Sequence, residues 1–248
     1  FARTADDFAD EGSGESITSE ERLSLINEWR GMLRDAVAGR AVHPVFIALA
    51  STIEQFDLPI NLFEDLLSAF SQDVTARRYA TFDDLKDYCR RSANPIGRLI
   101  LMLFGYRQEQ FFRWSDDICT ALQLANHWQD IGIDLEKDRL YIPVEDIKRF
   151  GLSVEDIKQS EESDSFRRLM EFEIERAREM FTHGKPLCTA VGGRLALELR
   201  AIWTAGVMVL DRIRENGYDV FTRRPVITSF DKIRILISAM GKNRFLKK

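Results

Sequence analysis

The 248-residue sequence lacks the marks of several common classes of protein. Its three cysteines include no Cys-x-x-Cys pair, which argues against a disulfide framework or a zinc site and favours a reducing, cytoplasmic location. The longest apolar run, LILMLFGY after Arg98, is far shorter than the roughly 20 residues of a membrane-spanning helix. The net charge of −5 gives no support for nucleic-acid binding, so no nucleic-acid partner is expected.

The sequence also has almost no strand signals, whereas helix signals occur along its whole length. Thr18 and Glu21 match a capping box, and Pro44 suits the first turn of another helix. Pro95 lies inside a long helical pattern and predicts a kink a few residues before it. Because the composition shows neither a break nor a repeat, we predict a single all-α domain that comprises residues 1–248.

One row of polar side chains lies on a helix that is otherwise apolar, predicted at about residues 108–135. Asn126, Asp130 and Asp134 recur every four residues and therefore share one face, with Gln123 on the same strip. A helix that is apolar nearly all round is a buried helix, so this strip is expected to face something polar inside the protein.

The opening segment, FARTADDFADEG, repeats this arrangement. Asp6 and Asp10 share a helical face, and Arg3 lies one turn earlier on it. Two interpretations stay open for this segment by itself. It is either an acidic helix end in solvent, with Arg3 and Asp6 as an ordinary ion pair, or half of a metal site.

The two acidic strips need positive partners, because an unpaired buried carboxylate is too costly to leave. Either arginines or hard divalent cations could supply the charge. Carboxylate and amide oxygens are ligands that Mg²⁺ takes, usually with water and substrate phosphate. No histidine or cysteine joins this set of aspartates and asparagine, which argues against zinc or iron.

These motifs resemble those of the head-to-head prenyl synthases, the squalene and phytoene synthases. The family's first motif is an arginine followed by DxxxD, as in RTADDFAD, and its second is NxxxDxxxD followed by RxY, as in NHWQDIGID and RLYIP. A third motif, YCxxxAxxxG, matches YCRRSANPIG. The matching positions are Arg3, Asp6, Asp10, Tyr88, Cys89, Ala93, Gly97, Asn126, Asp130, Asp134, Arg139 and Tyr141.

The resemblance implies an isoprenoid-synthase-like helical bundle around a central cavity. It implies Mg²⁺ as the cofactor, held by oxygen atoms of Asp6, Asp10, Asn126, Asp130 and Asp134. It implies a prenyl diphosphate substrate, whose binding residues would be Arg3, Gln123, Asn126, Arg139 and Tyr141. Tyr88 would be catalytic together with the four aspartates, as a proton relay or as a stabiliser of a carbocation. The alternative for Tyr88 is a buried structural tyrosine.

Within the family, the segments YCRRSANPIGR, QLANHWQD and YDVFTRRPV most resemble the bacterial squalene synthases of hopanoid pathways. We therefore expect conversion of farnesyl diphosphate, presqualene diphosphate or both to squalene or hydroxysqualene. Gln129 departs from the pattern, since many relatives carry an arginine at this position. Two alternatives stay open: a phytoene synthase that acts on geranylgeranyl diphosphate, and a non-catalytic assembly factor that keeps the fold.

Other segments give expectations about cofactors and partners. The sequence shows no dinucleotide-binding fingerprint, so NADPH is not expected. His127 borders the polar strip and is expected to be structural, whereas Arg223 and Arg224 either cap the cavity or are solvated. The tail GKNRFLKK is either solvated or touches an anionic membrane, which would make the protein peripheral to the inner membrane, near other enzymes of its pathway. The family's first helix is expected to be missing from this chain.

Overall fold

The computed structural model describes residues 1–9, 17–159, 163–222 and 224–240. Within these ranges the chain forms fourteen α-helices and no β-strand, apart from an isolated bridge between Arg78 and Leu140. The all-α class predicted from the sequence is confirmed. The chain divides into two compact units, which comprise residues 1–77 with 87–107 and residues 78–86 with 108–248. That the whole chain forms one domain stays a prediction.

Five helices lie wholly in the first unit: α1 (Ala2–Ala9), α2 (Ser19–Val37), α3 (Pro44–Phe56), α4 (Ile60–Thr75) and α6 (Asn94–Leu103). The helix α5 (Phe82–Ser92) begins in the second unit and ends in the first. The second unit continues with α7 (Glu109–Gln129), α8 (Ile131–Glu136), α9 (Val144–Arg149), α10 (Val154–Lys158), α11 (Asp164–Gly184), α12 (Leu187–Ala190), α13 (Gly193–Glu215) and α14 (Ser229–Met240). None of the helices in the described ranges has both the length and the apolar character that crossing a lipid bilayer requires.

The helix boundaries of the first unit follow the signals in the sequence. The Thr18 hydroxyl accepts from the Glu21 backbone N–H, and the Glu21 carboxylate accepts from the Thr18 N–H at 2.8 Å, which completes the predicted capping box of α2. Pro44 occupies the first turn of α3, as predicted. The kink predicted before Pro95 is a break, since Ala93 separates α5 from α6.

The core of the first unit holds α1 against α2 and α4. The inner face of α1 buries Ala5 and Ala9, and Arg22 of α2 donates to the Ala9 carbonyl at 3.2 Å. At the other end of α1, the ring of Phe1 packs edge-on against Phe63 of α4, with the ring centroids 5.6 Å apart. The helix is therefore held at both ends, which fixes the direction of its acidic face.

The core of the second unit is built from α7, α11 and α13. These helices pack so closely that two glycines have no room for a side chain. A Cβ at Gly184 of α11 would lie 2.6 Å from the Trp114 carbonyl oxygen of α7, and a Cβ at Gly206 of α13 would overlap the ring of Phe181. The close packing fixes the position of α7, whose C-terminal end carries the second predicted motif.

A buried cluster of two carboxyl groups and one arginine joins α9 to α11. The Arg176 guanidinium donates to Asp146 at 2.8 Å and to Glu173 at 3.0 Å, and it lies 3.9 Å from the ring centroid of Phe82. Burial, with a smaller contribution from the negative charge of Asp146, raises the pKa of Glu173 to about 8 against the lowering effect of Arg176. Glu173 is therefore protonated near neutral pH. Only Asp146 then carries a negative charge, and Arg176 balances it.

Replacing Glu173 by glutamine, which imitates the protonated carboxyl, should change how stability depends on pH. In the parent, the unfolded carboxyl ionises near its ordinary pKa of 4.5 while the folded one keeps its proton up to about pH 8. The free energy of unfolding of the parent therefore falls relative to that of Glu173→Gln between these values, by up to about 1.4 kcal/mol per pH unit. Urea unfolding at pH 5, 6, 7 and 8 measures the difference.

The matched control for this prediction is Glu175→Gln, since Glu175 lies exposed on the same helix. Its difference from the parent should stay constant over the same pH range. A constant difference for Glu173→Gln as well would show that Glu173 is ionised in the folded protein.

Candidate functional site

The second acidic motif lies where α7 ends and α8 begins. One unbroken helix was predicted here, which was wrong at a single residue: Asp130 separates the two helices, with φ −105° and ψ 9°. The four-residue spacing survives, because the Asp130 N–H donates to the Asn126 carbonyl at 3.0 Å and the Asp134 N–H donates to the Asp130 carbonyl at 2.8 Å. The three predicted residues therefore stay close together along one side of the chain.

The interruption between α7 and α8 lies where the backbone of Val220 and Phe221 approaches the start of α8. A Cβ at Gly132 would lie 3.2 Å from the Val220 carbonyl oxygen and 3.5 Å from the Cα of Phe221. Glycine at this position allows the two backbones to come together, and the approach joins residues far apart in sequence. We refer to Asp219–Thr222 together with Arg224 and Pro225 as the strap.

The strap is fixed to the end of α7 by two polar contacts. The Arg224 guanidinium donates to the Asp130 carboxylate at 2.6 Å, and the Gln129 amide donates to the Pro225 carbonyl. Within the strap, the Asp219 carboxylate accepts from the Thr222 N–H at 2.8 Å. Arg224 is exposed and pairs with Asp130, and that it caps a cavity stays a prediction; Arg223 lies outside the residues that the structure describes. Gln129, noted in the sequence as a departure from the family pattern, contacts the strap through Pro225.

The two aspartates of the second motif repel each other in a partly dehydrated place. Burial and the negative charge of Asp130 together raise the pKa of Asp134 to about 6, against the opposing charges of Arg139 and Lys137. Asp130 has Arg224 as a partner, so the uncompensated charge falls on Asp134. Such a carboxylate pair favours a cation between or beside its members.

The predicted residue Arg139 follows a tight turn after α8. Asp138 in this turn has a φ of 53°, and its carboxylate accepts from Arg78 at 2.7 Å and from Lys158 at 3.0 Å. The Arg139 N–H donates to the Asp134 carbonyl at 2.8 Å, and its side chain is buried. The turn therefore brings the arginine of the RxY segment back to the second acidic motif.

An aromatic stack continues the site beyond Arg139. The Tyr141 ring lies on the His127 ring, with centroids 3.5 Å apart and planes 13° from parallel, and Tyr79 stacks nearby with its centroid 5.8 Å from that of Tyr141. Burial lowers the pKa of His127 to about 3, so the imidazole is neutral. Its Nε2 lies 3.3 Å from the amide nitrogen of Gln123. His127, expected to be structural, contacts two of the predicted substrate-binding residues.

Exposure differs along the predicted polar strip. Asn126 is exposed, whereas Gln123, Asp130 and Asp134 are partly buried. The opposite side of α7 is buried as predicted, at positions that include Leu124. The second unit thus brings together all six of its predicted site residues along α7, α8 and the following turn: Gln123, Asn126, Asp130, Asp134, Arg139 and Tyr141.

The first acidic motif lies in the other unit, on α1. Arg3 pairs with Asp7 at 2.8 Å and with Asp6 at 3.5 Å, so the ordinary ion pair considered for this segment is present. Asp10 lies outside the residues that the structure describes. That the two acidic motifs face one cavity stays a prediction.

Tyr88 is buried in the first unit, and its environment includes a residue that the sequence did not indicate. The Tyr88 hydroxyl donates to the Asp73 carboxylate of α4 at 3.0 Å. No motif or spacing singles out Asp73, because the contact joins two helices. The bond fixes the hydroxyl hydrogen on the side of Asp73, which suits either a structural tyrosine or a proton relay.

Metal-binding capacity in the second unit rests on two carboxylates and one amide. Within the part of the chain that the structure describes, no three His, Cys, Asp or Glu side chains lie close enough to hold a metal ion by themselves. Asp130 and Asp134 with the Asn126 amide form a set of oxygen ligands of the kind that Mg²⁺ takes together with water and substrate oxygens. The donor set therefore fits the expected ion.

Comparison with known proteins identifies the class. The squalene/phytoene synthase family model matches residues 1–231, so the chain belongs to this family of head-to-head prenyl transferases, which act on prenyl diphosphates. A phytoene synthase of Arthrospira platensis is 30% identical over 263 residues, which cover 99% of this chain and 82% of the relative. The family resemblance of the motifs is thereby confirmed.

Two solved structures share the fold. The squalene synthase HpnC from Alicyclobacillus acidocaldarius has a TM-score of 0.82 and 39% identity, covering 88% of this chain and 81% of that one. A dehydrosqualene synthase in complex with ligand has a TM-score of 0.83 over 96% of this chain and 82% of that one, and at 22% identity it bears on the fold alone. The isoprenoid-synthase-like class is therefore confirmed.

Replacing His127 by leucine should destabilise the protein by about 1–2 kcal/mol, because the stack with Tyr141 and the partner of Gln123 are both lost. His127→Phe keeps a ring beneath Tyr141 and should cost less than His127→Leu. Urea unfolding measures both. His183→Leu, at an exposed position on α11, is the control and should change stability by less than about 0.5 kcal/mol. Equal losses for leucine and phenylalanine would contradict a contribution from the stacked rings.

Proposed function

We propose that the protein is a Mg²⁺-dependent head-to-head prenyl synthase that converts farnesyl diphosphate, presqualene diphosphate or both to squalene or hydroxysqualene. The observation that carries this proposal is the row of Asn126, Asp130 and Asp134, whose four-residue spacing is kept by backbone hydrogen bonds through the end of α7. The raised pKa of Asp134 supports a cation beside this row. The 39% identity with a structure described as a squalene synthase supports this substrate class.

Asp130, Asp134 and the Asn126 amide would hold Mg²⁺ in this unit, and Asp6 and Asp10 are proposed for the other motif. When bound, Mg²⁺ would neutralise the diphosphate and make it a better leaving group. The charge on Asp134, which the chain compensates only in part, would then be balanced. This balance is the physical reason for keeping two aspartates four residues apart in a dehydrated place.

Arginines near the second motif would hold the substrate's diphosphate. The backbone N–H of Arg139 donates to the Asp134 carbonyl, which brings this arginine beside the motif, and its planar guanidinium would suit phosphate oxygens. Arg224 donates to Asp130, and a diphosphate oxygen would offer the same guanidinium a second acceptor. Gln123 and Arg3 would add further polar contacts to the head of the substrate.

Aromatic side chains would act on the prenyl part of the substrate. The stacked rings of Tyr141 and His127 present π-electrons rather than a positive charge, because His127 is neutral. Such faces stabilise a nearby carbocation. The Tyr88 hydroxyl, whose hydrogen is directed to Asp73, has oxygen lone pairs that can accept a proton from the substrate, with Asp73 as the next acceptor.

A phytoene synthase that acts on geranylgeranyl diphosphate is the second candidate, because the relative from Arthrospira platensis carries that name. Gln129 bears on the choice, since its amide is engaged by the strap instead of being free for a diphosphate. A non-catalytic assembly factor is the third interpretation, and it gives no reason for a repelling carboxylate pair. Hydroxysqualene forms when water ends the reaction, whereas squalene requires a hydride donor such as NADPH, for which the sequence shows no dinucleotide-binding fingerprint. Contact with other enzymes of the pathway stays a prediction.

Incubation with labelled substrates tests the proposal. The purified protein would receive Mg²⁺ and either farnesyl, presqualene or geranylgeranyl diphosphate, each with and without NADPH. Chromatography would separate squalene, hydroxysqualene, presqualene diphosphate and phytoene. Squalene or hydroxysqualene from either of the first two substrates supports the proposal. Phytoene alone would replace it with the second candidate, and no product from any substrate would contradict it.

Asp134→Asn should lower kcat/KM at least about 100-fold at saturating Mg²⁺, because the amide keeps the size of the side chain and removes its charge. Glu136→Gln, at an exposed position of the same short helix, is the matched control and should leave kcat/KM unchanged. Circular dichroism would verify that both variants fold. An Asp134→Asn variant that turns over as fast as the parent would exclude this aspartate from the site.

A further inference from the structure

The last described helix, α14, has an inner face that is fixed to the second unit. Ile235 and Ala239 are buried, and α14 packs against α13. Asp231, fully buried, accepts from Arg212 of α13 at 2.8 Å and from the Thr228 N–H at 3.0 Å. The orientation of α14 about its own axis is therefore set by an ion pair and by apolar packing.

The outer face of α14 is apolar, although it is exposed. Five large apolar side chains on it are each more than half exposed, and at 100° per residue they fall within an arc of about 120°. They are Phe230 (68%), Ile233 (56%), Leu236 (51%), Ile237 (53%) and Met240 (57%). A surface helix ordinarily carries polar residues opposite its buried stripe, so a contiguous apolar arc of this size indicates an interaction surface.

The charges of α14 are placed at the two borders of this arc. Lys232 lies about 40° beyond Leu236 on one side, and Arg234 lies about 40° beyond Phe230 on the other. Both are exposed, and the one acidic residue of the helix, Asp231, is buried on the inner face. The exposed surface of α14 is therefore apolar in the middle and positive at both edges. We call it the basic apolar face.

We propose that the basic apolar face binds the surface of an anionic lipid bilayer, with α14 lying in the plane of the membrane. The apolar arc would enter the boundary between headgroups and acyl chains. Lys232 and Arg234 have long stems that allow their charged ends to reach lipid phosphates on either side of the helix. Apolar and electrostatic contributions then act together on the same face.

The exposed positive charges of the basic apolar face favour a membrane, rather than a second copy of the chain, as its binding partner. In a two-fold symmetric dimer through this face, the cations of one helix would border those of its mate, with no exposed acidic residue on either helix to compensate them. An anionic lipid surface supplies the complementary charge over the whole length of the helix.

The proposal rests on α14 alone and does not depend on the proposed catalytic function. Its test is binding of the full chain to vesicles, measured by flotation. One set of vesicles contains phosphatidylcholine with phosphatidylglycerol, and the other contains phosphatidylcholine only. The expected result is binding to the anionic vesicles that weakens as salt is raised.

Two variants separate the electrostatic and apolar contributions. Lys232→Gln combined with Arg234→Gln should lower the partition coefficient about 30-fold, since each cation near an anionic surface contributes about a fivefold factor. Ile233→Asn should lower it at least about tenfold. The matched controls are Arg113→Gln combined with Arg194→Gln, and Ile47→Asn, which change side chains of similar exposure elsewhere and should bind as the parent does.

Any of three results would overturn the proposal. The first is the absence of binding to anionic vesicles, and the second is binding that the α14 variants share equally with the parent. The third is a dimer, seen by light scattering without lipid, that Ile233→Asn dissociates, since the face would then belong to a second copy. Circular dichroism and urea unfolding would verify that each variant keeps the parent's fold.

Discussion

Repulsion between Asp130 and Asp134 is the constraint around which the second unit's site is arranged. Two negative charges four residues apart are ordinary on a wet helix surface, where water screens them. Here burial and the charge of Asp130 raise the pKa of Asp134 to about 6, so keeping it ionised at neutral pH costs free energy. A protein keeps such a pair where a positive group can join it.

The chain supplies part of that positive charge from two directions. Arg139 comes from the turn that follows α8, and Arg224 comes from the strap. The strap reaches Asp130 because Gly132 allows its backbone to approach α8 and because Gln129 binds Pro225. The contacts of Gly132 and of the Gln129 amide with the strap therefore place Arg224 beside Asp130.

Local patterns in the sequence were sufficient for the all-α class and for the spacing of the second acidic motif. The capping box at Thr18 and the proline at position 44 act within one turn of helix, so their effect can be predicted without the rest of the chain. The four-residue spacing of the second motif is also local, and its hydrogen bonds persist through the interruption at Asp130. Family motifs supplied Arg139 and Tyr141, which no periodicity would have indicated.

Contacts between distant residues could not be predicted in this way. Asp130 and Arg224 are 94 positions apart, and nothing in either segment indicates the other. The bond from Tyr88 to Asp73 and the stack of Tyr141 on His127 likewise join separate elements. The interruption at Asp130 coincides with the approach of the strap, a long-range contact. The apolar pattern of the sequence runs on without a break and therefore predicts one helix. Long-range packing, rather than propensity, decided each of these cases.

Binding of Mn²⁺, a paramagnetic substitute for Mg²⁺, tests most directly whether the aspartate pair of the second unit holds a cation. Electron paramagnetic resonance would count free Mn²⁺ in a titration of the full chain with inorganic diphosphate present. The parent should bind Mn²⁺, and Asp130→Asn combined with Asp134→Asn should lose at least about tenfold in affinity. An affinity equal to that of the parent in the double variant would contradict a cation site at this pair.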